Sequence, residues 1–217
     1  MTFVDRSILN AKKVNAVGWQ SQMDSAVGEG WRKCYSSSST MFCEGLVPGC
    51  LKNHKARKPG EQLDDFYYRM LVAVTGKDTT DTSAQMEMHR YFGINSKFSQ
   101  QGSRQTLEYY LSIGLWVMTG QLHHWRYNQP DPARSHWSLC VGWTPENDAF
   151  VFHDPAGQMN LIEGGYISNE GAYRKYAWAQ WKHRWMADQA GKFVDGSGWC
   201  IVPIVNKATG KYVPLVA

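Results

Sequence analysis

The sequence predicts an α+β fold, in which helices of the N-terminal half pack on an antiparallel sheet formed by the C-terminal half. Up to about residue 113, apolar residues recur at helical spacing; beyond it they alternate with polar residues or form short apolar runs, as strands do. Helices that precede strands along the chain, rather than alternating with them, are typical of α+β proteins. We expect one domain over residues 1–217, with residues 1–16 as an N-terminal arm.

Four helices are predicted in the first half of the chain. The first begins near Cys34 and ends before Pro48-Gly49, because this dipeptide is a strong helix breaker. The other three are indicated by apolar residues at helical spacing and by capping residues at their ends. They cover residues 63–74, ended by Gly76; residues 82–92, with a Thr/Ser cap at the start and Gly93 at the end; and residues 103–113, capped by Ser103.

Short apolar and alternating runs predict strands in the second half. Residues 115–120, 137–143, 149–155 and 198–205 each have this pattern, and Pro145-Glu146-Asn147-Asp148 indicates a hairpin turn. Residues 173–186 are rich in Trp and Arg and fit either a helix or a strand. Within them Trp178, Trp181 and Trp185 lie at helical spacing, which predicts a stripe of the core, with a sugar-stacking face as the alternative.

Composition and charge narrow the class of protein. The 23 basic and 19 acidic residues leave a net charge of +4, well short of the basic stripe of a nucleic-acid binder, so we expect no nucleic-acid partner. No stretch approaches the roughly 18 apolar residues of a membrane span, which predicts no membrane insertion. The N-terminal sequence Met-Thr-Phe-Val-Asp-Arg lacks the apolar run of a secretory signal, so we expect synthesis in the cytoplasm.

The five cysteines form no close Cys-x-x-Cys pair, so neither a zinc knuckle nor a thioredoxin motif is present. Their odd number predicts at least one free thiol. His123-His124 is the one tempting metal pair, but adjacent residues on a strand point to opposite faces. With no ligand cluster beside them, we expect neither a metal ion nor another cofactor.

Three residues that are distant in sequence predict a nucleophilic site. Cys34 lies where a polar loop becomes a helix, and the helix dipole there favours thiolate; Arg32 and Lys33 would add to this if they point inward. His136 begins one predicted strand and Asp154 ends the next, so the hairpin brings both to one sheet edge. The imidazole would take the thiol proton, and the carboxylate would orient the imidazole. Each residue alone has a structural explanation; their joint placement predicts catalysis.

A glutamine upstream of the cysteine is the candidate for binding the developing oxyanion. The amide of Gln22 would act together with the backbone N–H of Cys34. Gln20 is an alternative two positions earlier, and either amide could also lie on the surface.

Several segments resemble one known family. Gly18-Trp19-Gln20-Ser21-Gln22-Met23-Asp24, and the run from Trp31-Arg32-Lys33-Cys34 through Ser36-Ser37-Ser38-Ser39 to Met41, are similar to the start of the double-glycine-peptidase-like (bacteriocin-processing-like) cysteine peptidases. The similar subgroup occurs in bacteriophages and bacteria. Residues 76–94, His136, the Asp154-Pro155-x-Gly157 turn and Gly196-Ser197-Gly198-Trp199 extend the resemblance over roughly residues 17–203. It implies a papain-like fold, with Gln22, Cys34, His136 and Asp154 in the family's four catalytic roles.

The chain departs from the familiar family pattern in two places. Cys34-Tyr35-Ser36 replaces Cys-Gly-Pro, and Ser135-His136-Trp137-Ser138 replaces Gly-His-x-Val. Both changes keep the catalytic atoms but weaken inferences about the specificity of the cleft. The membrane and ATPase segments of a leader-peptide exporter are absent from the sequence.

The sequence therefore predicts a cysteine peptidase that cleaves an amide bond through an acyl-enzyme. The preferred substrate is the peptide part of peptidoglycan, which describes a bacteriophage endolysin or a wall-degrading virion component. The phage assignment comes from the resemblance; the wall substrate also draws on the mild basicity and the 13% aromatic content. One alternative is a protease that processes phage proteins or attacks a host factor. The other is an inactive binding module with the same fold.

Overall fold

A computed structural model describes residues 18–26 and 30–215, so the predicted arm at residues 1–16 lies outside the described residues. The described part contains five α-helices and an antiparallel sheet, which confirms the predicted α+β class. None of the described helices combines the length and the apolar character needed to cross a membrane.

All four helices predicted for the first half are present. One predicted cap differs. The third helix is capped by the side chain of Asp81, which accepts from Ala84 N at 2.9 Å, and not by a Thr or Ser. Gly76 ends the second helix with φ of 68°, and Ser103 caps the fourth, as expected. The helices are α1 Cys34–Leu46, α2 Leu63–Thr75, α3 Thr82–Tyr91, α4 Arg104–Ser112 and α5 Trp178–Trp185.

The main sheet has six antiparallel strands in the order β1-β8-β2-β3-β4-β7, and β5 and β6 pair separately. The pair β3–β4 is the predicted hairpin, and β2 also pairs antiparallel with β3. The strands are β1 Ser96–Gly102, β2 Val117–Leu122, β3 Ser135–Thr144, β4 Ala149–His153, β5 Gln158–Met159, β6 Tyr166–Ser168, β7 Arg174–Ala177 and β8 Gly198–Pro203.

Two elements show the limit of periodicity. Strand β1 was not predicted, because Ser96–Gly102 is polar and mostly exposed or half-buried at the edge of the sheet. The segment 173–186, for which the sequence left helix or strand open, contains both, since strand β7 leads directly into helix α5. Trp181 and Trp185 are buried in the core, so the core stripe is confirmed and the sugar-stacking alternative is wrong for these two rings.

The two faces of the sheet bury two separate apolar clusters. Helices α1, α2 and α3 cover one face, with Phe42 and Tyr67 fully buried there. Helices α4 and α5 belong to the cluster on the other face, around Trp181 and Phe152. Burial on both faces makes the sheet a rigid support for residues at its ends.

The serine run of α1 lets this helix lie at the centre of the fold. All four serines are fully buried, and their small side chains permit close packing. Each hydroxyl has a partner in another element: Ser37 donates to Asp64 Oδ2 at 3.0 Å, and Ser38 to the carbonyl of Trp137 at 3.0 Å. Because buried hydroxyls need partners, these bonds fix the rotation of α1 and with it the direction of its first residue.

Candidate active site

Cys34 is the first residue of α1 and is partly exposed, as the sequence predicts. The ring of the next residue, Tyr35, stacks on Trp137 with centroids 4.1 Å apart and an interplanar angle of 13°. Trp137 directly follows His136 on β3. The start of α1 is therefore packed against the start of β3, which brings the cysteine and the histidine together.

His136 and Asp154 meet at one end of the sheet. His136 is the second residue of β3, and Asp154 directly follows β4, which pairs with β3. His136 Nε2 lies 2.7 Å from Asp154 Oδ1, and the two side chains are only 2% and 0% exposed. The structure thus confirms the prediction that these two residues meet at one edge of the sheet.

Asp154 is held by more than the histidine. The N–H of Ala156 donates to Oδ1 at 3.0 Å, and the hydroxyl of Tyr176 on β7 donates to Oδ2 at 2.8 Å. The backbone carbonyl of Asp154 accepts from Trp19 Nε1 at 2.8 Å. A side chain at Gly171 would meet that carbonyl oxygen at 1.7 Å, so this close approach requires glycine. The hydrogen bonds with His136, Ala156 and Tyr176 together fix both carboxylate oxygens in place.

The charge on His136 follows from its neighbours. Burial alone would lower the pKa of His136, but the negative charges of Asp154 and of a Cys34 thiolate, together with hydrogen bonds to both side chains, raise it well above its usual value. Since Nε2 faces Asp154, Nδ1 is the nitrogen that faces Cys34. At neutral pH this environment favours the imidazolium form of His136.

A second histidine stacks on the first. The rings of His123 and His136 are nearly parallel at 20°, with centroids 5.4 Å apart. Burial, followed by the charge of His136, lowers the pKa of His123 to about 2, so His123 is neutral. A neutral ring covers one face of the cationic ring and keeps water from it.

The predicted orientation of His123 and His124 is wrong. Their rings lie edge to face with centroids 4.5 Å apart, because both residues follow the end of β2 and the alternation of a strand no longer applies. Residues 18–26 and 30–215 hold no group of three His, Cys, Asp or Glu that could bind a metal ion.

The two candidate glutamines lie in different places. The N–H of Gln22 donates to the carbonyl of Pro155 at 3.0 Å, next to Asp154, and its side chain is buried. Gln22 Oε1 is buried without a hydrogen-bond partner among the described residues. The side chain of Gln20 instead donates to the carbonyl of Trp19 at 3.3 Å. Gln22 is therefore the one anchored to the turn that carries the site.

The basic residues before Cys34 serve other partners. Lys33 is buried, and its Nζ lies 2.8 Å from Asp65 Oδ1 on α2. Arg32 pairs with Asp78. Both cations pair with carboxylates, and the buried charge of Lys33 needs one to offset its desolvation. Lys33 instead ties the start of α1 to α2.

Tyr176 is a positioning residue that the sequence did not reveal. It is 1% exposed and lies in the segment whose structure the sequence left open. Strand alternation was the available signal, since Phe152 and Tyr176 stack on the same side of the sheet as Asp154.

Replacing Tyr176 by phenylalanine is expected to lower kcat/KM by roughly tenfold and to move the alkaline limb of its pH profile to lower pH. The reason is that Asp154 loses a hydrogen bond that holds it against His136, whose pKa the carboxylate raises. Tyr67→Phe is the matched control, because it removes a buried hydroxyl that donates to Gln85 Oε1 at 2.9 Å, remote from the site. An equal pH shift in both variants would contradict a positioning role.

The protein is thus an α+β protein with a buried histidine–carboxylate pair beside a cysteine at the start of a helix. No protein-family model matches the chain, and no curated protein is significantly similar to it.

Proposed function

We propose that this protein is a cysteine hydrolase that cleaves an amide bond through a thioester acyl-enzyme. Cys34 is the nucleophile, His136 the general base and acid, and Asp154 the group that orients and charges the imidazole. The observation that supports this best is the position of His136, which is buried between Asp154 and the thiol of Cys34 with a raised pKa. A strongly shifted pKa at a histidine beside a potential nucleophile is typical of active sites.

The proposed reaction has two stages. The Cys34 thiolate attacks the carbonyl carbon of the amide, and the imidazolium of His136 gives its Nδ1 proton to the departing amine. Water then attacks the thioester; His136 takes a proton from this water, and Cys34 leaves as thiolate. Asp154 stays charged throughout and stabilises the imidazolium.

The oxyanion of each tetrahedral intermediate needs hydrogen-bond donors. The backbone N–H of Cys34 is one, because the first N–H groups of a helix have no partner within the helix. The side-chain amide of Gln22 is the proposed second donor, supported by its anchoring to Pro155 beside the catalytic pair. Such donors stabilise the transition state more than the ground state.

The fold proposed for this site is papain-like. A central helix that begins with the nucleophile, packed against an antiparallel sheet that carries the base and its carboxylate, supports this proposal. The family resemblance over roughly residues 17–203 supports it as well.

The proposed substrate is the peptide part of peptidoglycan, which makes the protein an endolysin or a wall-degrading virion component of bacteriophage type. This proposal draws on the family resemblance and on the net charge of +4, which suits an anionic polymer. Exposed aromatic rings suit contacts with a wall polymer, and Tyr173 is 58% exposed.

Purified cell-wall sacculi test this proposal directly. We expect the protein to release soluble fragments and to generate new amino groups but no new reducing sugar ends, because an amide bond is cut. The loss of turbidity measures the release of fragments, and new amino groups are assayed in parallel. Intact sacculi together with hydrolysis of a denatured protein would point to a protein-directed protease. No hydrolysis of either substrate would point to a binding module.

A further inference from the structure

A groove of about 400 Å³ adjoins the strand that carries His136. Ser135 and Trp137, the two neighbours of His136 on β3, both line it. The groove therefore flanks the strand of His136, although neither His136 nor Cys34 lines it. The other side of the groove is formed by the start of β8 and by the loop that follows α5, including Trp199 and Gln189.

Trp199 offers an exposed and well-fixed aromatic face to this groove. Its side chain is 41% exposed, and its ring packs edge-on against Phe98 with centroids 5.9 Å apart. Its carbonyl accepts from Trp185 Nε1 at 2.9 Å. A side chain at Gly198 would meet the Trp185 ring at 2.4 Å, so the backbone at this point is packed tightly onto the core. The ring is therefore held without being covered.

The polar groups of the groove are mainly neutral. Gln100, Gln189 and Ser135 contribute exposed amides and a hydroxyl. The charged groups are engaged elsewhere. Arg184 is buried and donates to backbone carbonyls such as Trp125 O at 2.7 Å. One carboxylate oxygen of Asp188 accepts from two backbone N–H groups, each at 2.8 Å.

We propose that this groove is a glycan subsite that binds an N-acetylated amino sugar. The apolar face of a pyranose ring stacks on Trp199, while its hydroxyl and acetamido groups bond to the neutral amides and hydroxyls around it. A charged ligand is disfavoured, because the lining charges already have partners. The inference rests on the proposed function for its biological meaning: the subsite would hold a glycan strand of the same polymer whose peptide Cys34 attacks.

Binding can be measured without turnover. A neutral oligomer of β-1,4-linked N-acetylglucosamine is titrated into the Cys34→Ala protein, and calorimetry measures the heat of binding. We expect saturable binding that weakens on the order of tenfold in Trp199→Ala, because the stacking face is lost. Trp199→Phe should retain most of the affinity. Trp125→Ala is the matched control: Trp125 is also exposed but does not line the groove.

Absence of saturable binding would overturn the subsite, as would equal weakening in Trp199→Ala and Trp125→Ala. Binding of sugar-free stem peptide that depends on Trp199, without binding of the oligomer, would also overturn it and assign the groove to peptide. Failure of the hydrolase proposal is separate, since it would appear as a lack of turnover by the unmodified protein whatever the oligomer does.

Discussion

Replacing Cys34 by alanine is expected to abolish amide hydrolysis, with a loss on the order of 10⁴-fold or more. In the proposed reaction the Cys34 thiol forms the covalent intermediate. The measurement is fragment release from sacculi. Cys50→Ala is the matched control, because Cys50 is also half-buried but lies in the turn after α1, at the opposite end of this helix from Cys34. Substantial activity in Cys34→Ala would refute the proposed nucleophile.

Alkylation distinguishes this cysteine from the other four without a substrate. Burial raises the pKa of Cys50 and of Cys200 to about 12 and raises those of Cys43 and Cys140 as well. These thiols are protonated at neutral pH, and only thiolate reacts rapidly with iodoacetamide. Cys34 should therefore be labelled first. Equal labelling of all five thiols would favour the binding module over the enzyme.

Replacing His136 by glutamine is the second large expected effect. We expect kcat to fall by roughly a thousandfold, because both proton transfers lose their carrier. Alkylation of Cys34 at neutral pH should slow as well, since the ring that takes the thiol proton is gone. His183→Gln, on α5, is the control and should change neither rate.

The sign of the pH dependence follows from the raised pKa of His136. In the folded protein the imidazolium persists from neutral into alkaline pH, so the stability it contributes is complete below its unfolded pKa near about 6.5. That stability is lost as pH rises through the higher folded value. His136→Gln should therefore flatten the alkaline fall in stability measured by thermal unfolding. An unchanged alkaline slope would contradict the inferred charge state.

The segment before α1 connects the two halves of the site. Trp19 bonds to the carbonyl of Asp154, and Gln22 bonds to the carbonyl of Pro155. Lys33 fixes the start of α1 to Asp65 on α2. The nucleophile and the carboxylate are thus positioned through one continuous stretch of chain, so changes at these anchors should act on the site through geometry rather than through charge.

Local sequence determined much of the fold. Gly76 and Ser103 mark the ends of helices because left-handed backbone and N-terminal capping favour these residue types wherever they occur. Alternation in residues 137–143 marked β3 for the same kind of local reason. The pairing of His136 with Asp154 could be predicted because a hairpin makes them neighbours through short-range geometry. That Cys34 lies with them remained an inference from chemistry and resemblance.

Only the tertiary structure decided the features that depend on distant contacts. Strand β1 exists because β8 pairs with it, although its own residues are polar. Lys33 is buried because Asp65 offers it a charge, and Tyr176 orients Asp154 because β7 lies beside β4. The physical reason is common to all three: a backbone ladder, a desolvated charge and a buried hydroxyl each need a partner, and the identity of that partner is not encoded locally. The approach of Cys34 to the pair of His136 and Asp154 is likewise decided by the tertiary structure, because helix α1 and strand β3 are far apart in the sequence.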